Sequence, residues 1–180
     1  MSATSLITDR VNELRQTFDR ARAVPHRSGI SEPTVDLLSV RVSRDAYAIR
    51  VDEISGLATN RKIVSLPTPV PELLGIAGIR GVVVPVYSLA GLLGYAVDAE
   101  KIHWLALCGT QEPIALAFTD FEGYARVALS QLCATEQQDV SRTYIRHVVR
   151  TNEAVRAVVS IPLVQEAIQR RCAARISKEH

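Results

Sequence analysis

Aromatic side chains are scarce in this sequence, at 5% of 180 residues, and its charges nearly cancel, with 21 Lys and Arg against 19 Asp and Glu. These two shortages argue against a nucleic-acid binder, which needs exposed aromatics beside a basic stripe. Tyr144 and Arg146, on one strand face, are the sole hint of such a surface. Cysteine is sparse too. Cys108, Cys133 and Cys172 are odd in number, far apart and without CxxC spacing, so they read as inert thiols rather than as a disulfide framework or metal ligands. Long apolar runs are missing. No window approaches the roughly 18 residues of a membrane span, and the richest stretch, 73–87, is broken by Arg80 and Pro85. Membrane insertion is therefore not expected. The opening MSATSLITDRVNELRQ carries acids where a signal peptide is apolar, which gives the expectation of a mature cytoplasmic chain.

The motifs of catalysis are also lacking. There is no GxxxxGK phosphate loop, no GxGxxG, no GxSxG elbow and no HExxH helix. His103 and His147 alternate with apolar residues on strands and read as structural histidines. Asp120 and Glu122, the nearest approach to a paired carboxylate, fall in TDFEG, which reads as a polar turn. The expectation is a protein that is not an enzyme, with no catalytic, cofactor or metal residues.

What is present is a series of short strands. Ahead of them, Ile7, Val11, Leu14, Phe18 and Ala21 recur at spacings of four and three, which predicts an amphipathic helix over 5–22. A linker with Pro25, Gly29 and Pro33 follows it. From residue 35, strands are predicted at 35–42, 47–51, 62–66, 81–89, 102–109, 114–121, 124–132, 142–150 and 154–161. A brief helical turn is predicted at 90–95, and a terminal helix at 162–175 begins with Pro162. Nine or ten strands separated by frequent turns indicate an all-β barrel or sandwich. Similar strand counts in 35–95 and 100–161 suggest two small β-subdomains divided near 95–101. The expected organisation is an N-terminal helix and linker over 1–33, a β domain over 34–175 and a tail over 176–180. Pro85, inside the strongest strand, predicts an edge position or a bulge.

The stretch GIAGIRGVVVPVYSL (75–89) sets Gly75, Gly78 and Gly81 around one cation, Arg80. Glycine permits a positive φ or close backbone approach, so Arg80 is either solvated in a turn or held at a subdomain junction.

In the order YAIRVDEI (47–54), KIVSLP (62–67), a proline-containing loop and GIAGIRGVVVPVYSL, the chain resembles the CheW domain, the adaptor of bacterial chemotaxis arrays. The hallmark of that family reads G-[VI]-x-N-x-R-G-x-x-x-P-[VI]-x-[DN]-L. The resemblance is strong over 35–95 and collinear through 161. It implies two small SH3-like five-stranded β-barrels packed together, with no catalysis. The implied partners are the regulatory domain of a chemotaxis histidine kinase and the cytoplasmic tip of a chemoreceptor. Gly75, Arg80, Gly81 and Pro85 match the hallmark. Ile54 and Leu57 fall where family members place apolar groove residues, so Ile54, Leu57, Gly75 and Arg80 are the expected partner-binding residues. Gly78 departs from the hallmark asparagine, Ser88 from its aspartate or asparagine, and Gly56 stands where an acid is common. Two alternatives stay open: a specialised or degenerate homologue serving non-flagellar motility, and a β-barrel that binds a small ligand between its subdomains. The role of the 5–22 helix and the oligomeric state also stay open.

Overall fold

The computed structural model describes residues 32–109, 111–135, 143–150 and 154–176. The helix expected over 5–22 lies outside them. In chain order the described elements are β1 (Thr34–Val42), β2 (Asp45–Arg50), β3 (Gly56–Thr59), β4 (Ile63–Val64), β5 (Leu73–Ile79) and β6 (Val82–Ser88), followed by a short helix α1 (Leu89–Leu92). Then come β7 (Trp104–Cys108), β8 (Ile114–Phe118), β9 (Asp120–Ala128), β10 (Leu132–Ala134), β11 (Ile145–Arg150), β12 (Val155–Val159) and helix α2 (Ile161–Ile176). The protein is mainly β.

The strands form two six-stranded sheets. One runs β10-β11-β12-β2-β1-β9 and the other β3-β7-β8-β6-β5-β4. Each expected five-stranded unit thus gains a short sixth member, the three-residue β10 in one and the two-residue β4 in the other. Each sheet curls around its own core. In the second, Ala58 of the edge strand β3 packs in one cluster with Ala77 and Ile79 of β5, Val84 and Val86 of β6, and Leu105 and Leu107 of β7. In the first, Val35 and Leu37 of β1 meet Val127 of β9, Val149 of β11 and Val158 of β12. The sheets do not divide the sequence at 95–101. That segment joins α1 to β7 within the second sheet, while β1 and β2 pair with strands from the far end of the chain. The link is a parallel pairing of β12 with β2, Ala157 beside Tyr47 and Val159 beside Ile49. Local sequence carries no signal for a contact at that separation, so equal strand counts suggested a sequential split.

Successive residues of a strand face opposite ways, yet all five residues of β8 are buried. Ala115 and Ala117 fill their own barrel. The intervening Leu116 and Phe118 belong to the other face and are also fully buried, as are Leu38 of β1, Ile49 of β2, Leu89 of α1 and Ile161 of α2. β8 lies against α1 and against β1 of the other sheet, and each of these side chains contributes on the order of 1.5–3 kcal/mol by leaving water. Helix α2 closes the arrangement. Glu53, before β3, accepts from the backbone N–H of Ile161 at 2.8 Å, which satisfies one of the unpaired donors at the helix start. Near the other end, Arg171 donates to Glu72 at 2.5 Å and to the Tyr144 hydroxyl at 3.2 Å.

Three local expectations change. Residues 73–79, with their two glycines, form a strand where none was predicted. TDFEG is not a turn either, because Asp120 opens β9 and Glu122 lies within it. Ser39 pairs with Gly123 and Val40 with Phe121, which leaves Glu122 as the extra residue of a β-bulge. Third, β6 is an inner strand between β5 and β8. Pro85 is tolerated there because pairing with β8 begins only at Val86, so the first half of β6 is an edge on that side.

Candidate functional site

The hairpin of β5 and β6 builds the centre of the candidate site. Ile79 pairs with Val82, so Arg80 and Gly81 alone make the turn. Both have positive φ, 52° at Arg80 and 82° at Gly81. A two-residue turn with both residues left-handed is type I′, whose twist matches that of the flanking strands. Glycine takes this conformation freely. Arginine does not, since its Cβ crowds the backbone at a cost of about 1–2 kcal/mol, and asparagine or glycine would serve the turn better. Arg80 is therefore held in a strained position at the tip of a stiff hairpin.

The guanidinium folds back onto β3. A Cβ placed on Gly56 would lie 3.1 Å from Nη2 of Arg80, so the absent side chain of Gly56 is the space the guanidinium occupies. Arg80 is exposed and forms no ion pair among the described residues. Beside it, Val82 and Val83 are 53% and 65% exposed. Gly78, which pairs with Val83, has no neighbour within 4 Å of the place a Cβ would take and leaves that face open.

The four expected site residues separate into two kinds. Arg80 is exposed at the hairpin tip, with its guanidinium over Gly56, whereas Leu57 is half-buried on the edge strand β3, where alternation turns it to the face opposite that of Gly56. Ile54, just before β3, is only 2% exposed, and its side chain belongs to the core. Gly75 is buried and has φ 143°; a Cβ there would fall 2.0 Å from the carbonyl oxygen of Val64. Its lack of a side chain lets β4 lie against β5.

The departure at Ser88 is chemically mild. Its hydroxyl accepts from the Gly91 N–H at 3.1 Å and so caps α1, the task a short polar side chain performs at a helix start. Ser88→Ala is expected to cost about 1 kcal/mol, read as a lowered urea midpoint with an unchanged slope.

Two further places hold polar or reactive groups. Cys108 is buried, and burial, with the nearby Glu53 charge, pushes its thiol up to about 12, so it is unreactive at neutral pH. A cavity of about 570 Å³ is bordered by Asp45, Tyr47, Tyr95 and Val155, among others. The Tyr47 and Tyr95 hydroxyls are 2.7 Å apart, and Tyr95 donates to Asp45. Burial, then hydrogen bonding to Asp45 and Tyr47, raises the Tyr95 pKa well above its ordinary value. Among the described residues no group of three or more His, Cys, Asp or Glu is arranged to hold a metal ion, and no helix is long and apolar enough to cross a membrane.

Sequence reasoning also passed over four exposed residues, Arg61, Lys62, Val82 and Val83. Arg61 and Lys62 precede β4, and Val82 and Val83 stand at the hairpin tip. The only available signal was the Arg-Lys pair ahead of the apolar residues of β4, because exposure of a valine run cannot be told from burial by composition.

Comparison with known proteins agrees with this architecture. The CheW-like domain matches residues 36–169. The Chemotaxis protein CheW of Thermotoga maritima is 24% identical over 134 residues, covering 74% of this chain and 89% of that protein. The crystal structure of scaffolding protein TtCheW from Thermoanaerobacter tengcongensis superposes with a TM-score of 0.64 at 10% identity, over 72% of this chain and 90% of that one. With two curled sheets, the glycine–arginine hairpin and a family match over most of its length, the chain belongs to the CheW-like domain family.

Proposed function

We propose that this protein is a non-catalytic scaffolding adaptor of a chemotaxis-type signalling system, which couples receptors to a histidine kinase. The observation that carries the reading is Arg80. A residue poorly suited to its turn, exposed and without an ion-pair partner among the described residues, costs stability where it stands, and such strain is characteristic of functional positions. In this reading Arg80 and Leu57 meet the partner, Ile54 supports β3 from beneath, and Gly75 keeps β4 in register. The adaptor forms no bond; by contacting one signalling state better than another it shifts the kinase between them. The family match and the likeness to proteins named for chemotaxis and scaffolding support this reading.

The test is Arg80→Asn, which removes the charge but suits the left-handed position. Its thermal midpoint is expected to stay level or rise by about 2–4 °C, the equivalent of ~1 kcal/mol in a domain of this size. In calorimetric titrations against the kinase regulatory domain from its own signalling operon, and against a receptor cytoplasmic tip, affinity for at least one is expected to fall tenfold or more. A folded variant that binds both like the wild type would remove Arg80 from the site. Loss of folding by circular dichroism would make the arginine structural instead. A second reading, a small-ligand site, has the Tyr47–Tyr95–Asp45 cavity in its favour. Native mass spectrometry of the purified protein would reveal a retained ligand.

A further inference from the structure

The tip of the second barrel carries more charge than Arg80 alone. β4 and β5 pair Ile63 with Ala77 and Val64 with Ile76. Arg61 and Lys62 lead directly into Ile63, whose partner Ala77 lies three residues before Arg80. Arg61, Lys62 and Arg80 thus share one end of the barrel, and all three are exposed. None forms an ion pair among the described residues, whereas Arg41, Arg50, Arg126, Arg156, Arg170 and Arg171 each hold a carboxylate. Asn60, immediately before them, also has a positive φ of 52°, which turns the chain sharply at the end of β3. The Arg80 guanidinium lies over the bare backbone of Gly56, a seat that supplies no acid. Val82 and Val83 open β6 just after the turn, on opposite faces of the strand and each more than half exposed.

We propose that this tip receives an acidic segment of a protein partner, with one partner carboxylate engaging Arg80 above Gly56 and further acids facing Arg61 and Lys62. The proposal rests on the adaptor reading and names the chemistry its partner must bring. Guanidinium binds carboxylate through two parallel hydrogen bonds, and three uncompensated cations select a surface of opposite sign. The two exposed valines call for apolar residues within the same segment. They favour protein over nucleic acid, because a polyanionic strand would not cover them, and the near-zero net charge points the same way.

The test uses the full chain with Arg61→Glu and Lys62→Glu together, leaving Arg80 in place. Both positions are exposed, and circular dichroism checks the fold; Arg61→Gln with Lys62→Gln serves as a milder pair. Wild type and variants are titrated with the kinase regulatory domain and the receptor tip at about 50 and about 300 mM NaCl, a range over which exposed charge pairs are progressively screened. The expected result is a loss of at least tenfold on charge reversal, a smaller loss for the glutamine pair, and weaker wild-type binding at high salt. Replacing an acid of the partner by lysine is expected to restore affinity for the reversed variant only. Unchanged affinity in both variants, with no salt dependence, overturns the proposal while the adaptor reading stands. A wild type that binds neither protein overturns both. Equal or tighter binding to an oligonucleotide single strand or to phosphatidylglycerol vesicles, lost in the same variants, overturns the choice of an acidic protein.

Discussion

Gly75→Ala is expected to destabilise the protein by about 4 kcal/mol or more, the range reserved for changes that force the backbone apart. Two effects add. The residue sits at φ 143°, where any side chain is strained. Its Cβ would also fall 2.0 Å from the Val64 oxygen, 2.7 Å from the Val64 carbonyl carbon and 2.9 Å from the Ser65 Cα. All three are backbone atoms, so no rotamer change relieves the overlap. Either β4 leaves β5, or the bulge before Gly75, where pairing passes from Leu73 to Gly75, must rearrange. Thermal unfolding is expected to show a midpoint about 10 °C lower or more, at 2–4 °C per kcal/mol for a domain of this size. Amide exchange at Ile63 and Val64 would accelerate first. Gly78→Ala is the internal control. It lies on the same strand with nothing within 4 Å and an ordinary φ, and is expected to remain within about 0.5 kcal/mol of wild type. If the Gly75 variant matched that control, the close approach of β4 would not constrain this position.

The second large effect is expected at Glu122. Its carboxylate holds Arg41 and Arg156 together, the latter at 2.5 Å. The Arg156 side chain is 6% exposed, and its Nε has no hydrogen-bond partner, so among the described residues Glu122 is its one anionic contact. Glu122→Gln keeps the shape and removes the charge, leaving two guanidinium groups facing a neutral amide, one of them buried. Breaking a buried pair from one side costs about 3–5 kcal/mol. The Glu122 side chain keeps 20% of its exposure, which points to the lower end, about 3 kcal/mol.

The same group sets a pH dependence. Burial alone would raise the Glu122 pKa and is the largest single influence, but hydrogen bonds from Arg156 and Arg41 outweigh it and hold the carboxyl below its ordinary value of 4.5. A depressed carboxylate pKa stabilises the folded state fully above the unfolded value, and that contribution disappears as pH falls through the folded one. Stability should therefore drop on acidification below about pH 4.5, and the drop should be shallower in Glu122→Gln. Glu53 acts in the opposite sense. Burial first, against the hydrogen bond from the Ile161 N–H and the nearby Arg50 charge, raises its pKa, so its protonation favours the folded state as pH falls. Glu53 is present in both proteins, so the difference between their denaturant midpoints from roughly pH 2 to pH 6 isolates Glu122. A difference that did not vary with pH would refute the assignment.

How much of this was legible beforehand depended on the range of the interaction. The β1–β2 hairpin, the last hairpin, α1 and α2 follow from local pattern, and the tight turn at Arg80 was marked by its glycines and by family resemblance. Glu122 escaped because a bulge is invisible to alternation: TDFEG has turn composition, yet the strand runs through it and the extra residue redirects one carboxylate towards Arg156. β5 was missed because glycine lowers strand propensity, while at Gly75 that glycine exists to admit β4. The site was half legible. Arg80 came from the hallmark, but its contact with Gly56 joins residues distant in sequence, and exposure of Val82 and Val83 depends on pairing with β8 beginning only at Val86. Ile54 and Leu57 are near neighbours in one expected partner-facing stretch. Only the folded chain separates them, by turning the first into the core and the second towards the surface.

The interleaving of the sheets bears on synthesis. Strands β3 to β8 are contiguous, from Gly56 to Phe118, so the second barrel has all its pieces well before the chain is complete. The first barrel does not: β1 and β2 emerge before it, and must wait for β12, near the far end of the chain, to dock beside β2. Closing so long a loop is slow, and during that interval β2 presents an open edge with Tyr47, Ile49 and their neighbours uncovered. One barrel nests inside the sequence of the other, so the nascent protein passes through a stage with a finished module and a pair of orphaned strands. That is the stage at which a chaperone, or a second unfinished chain, would find it.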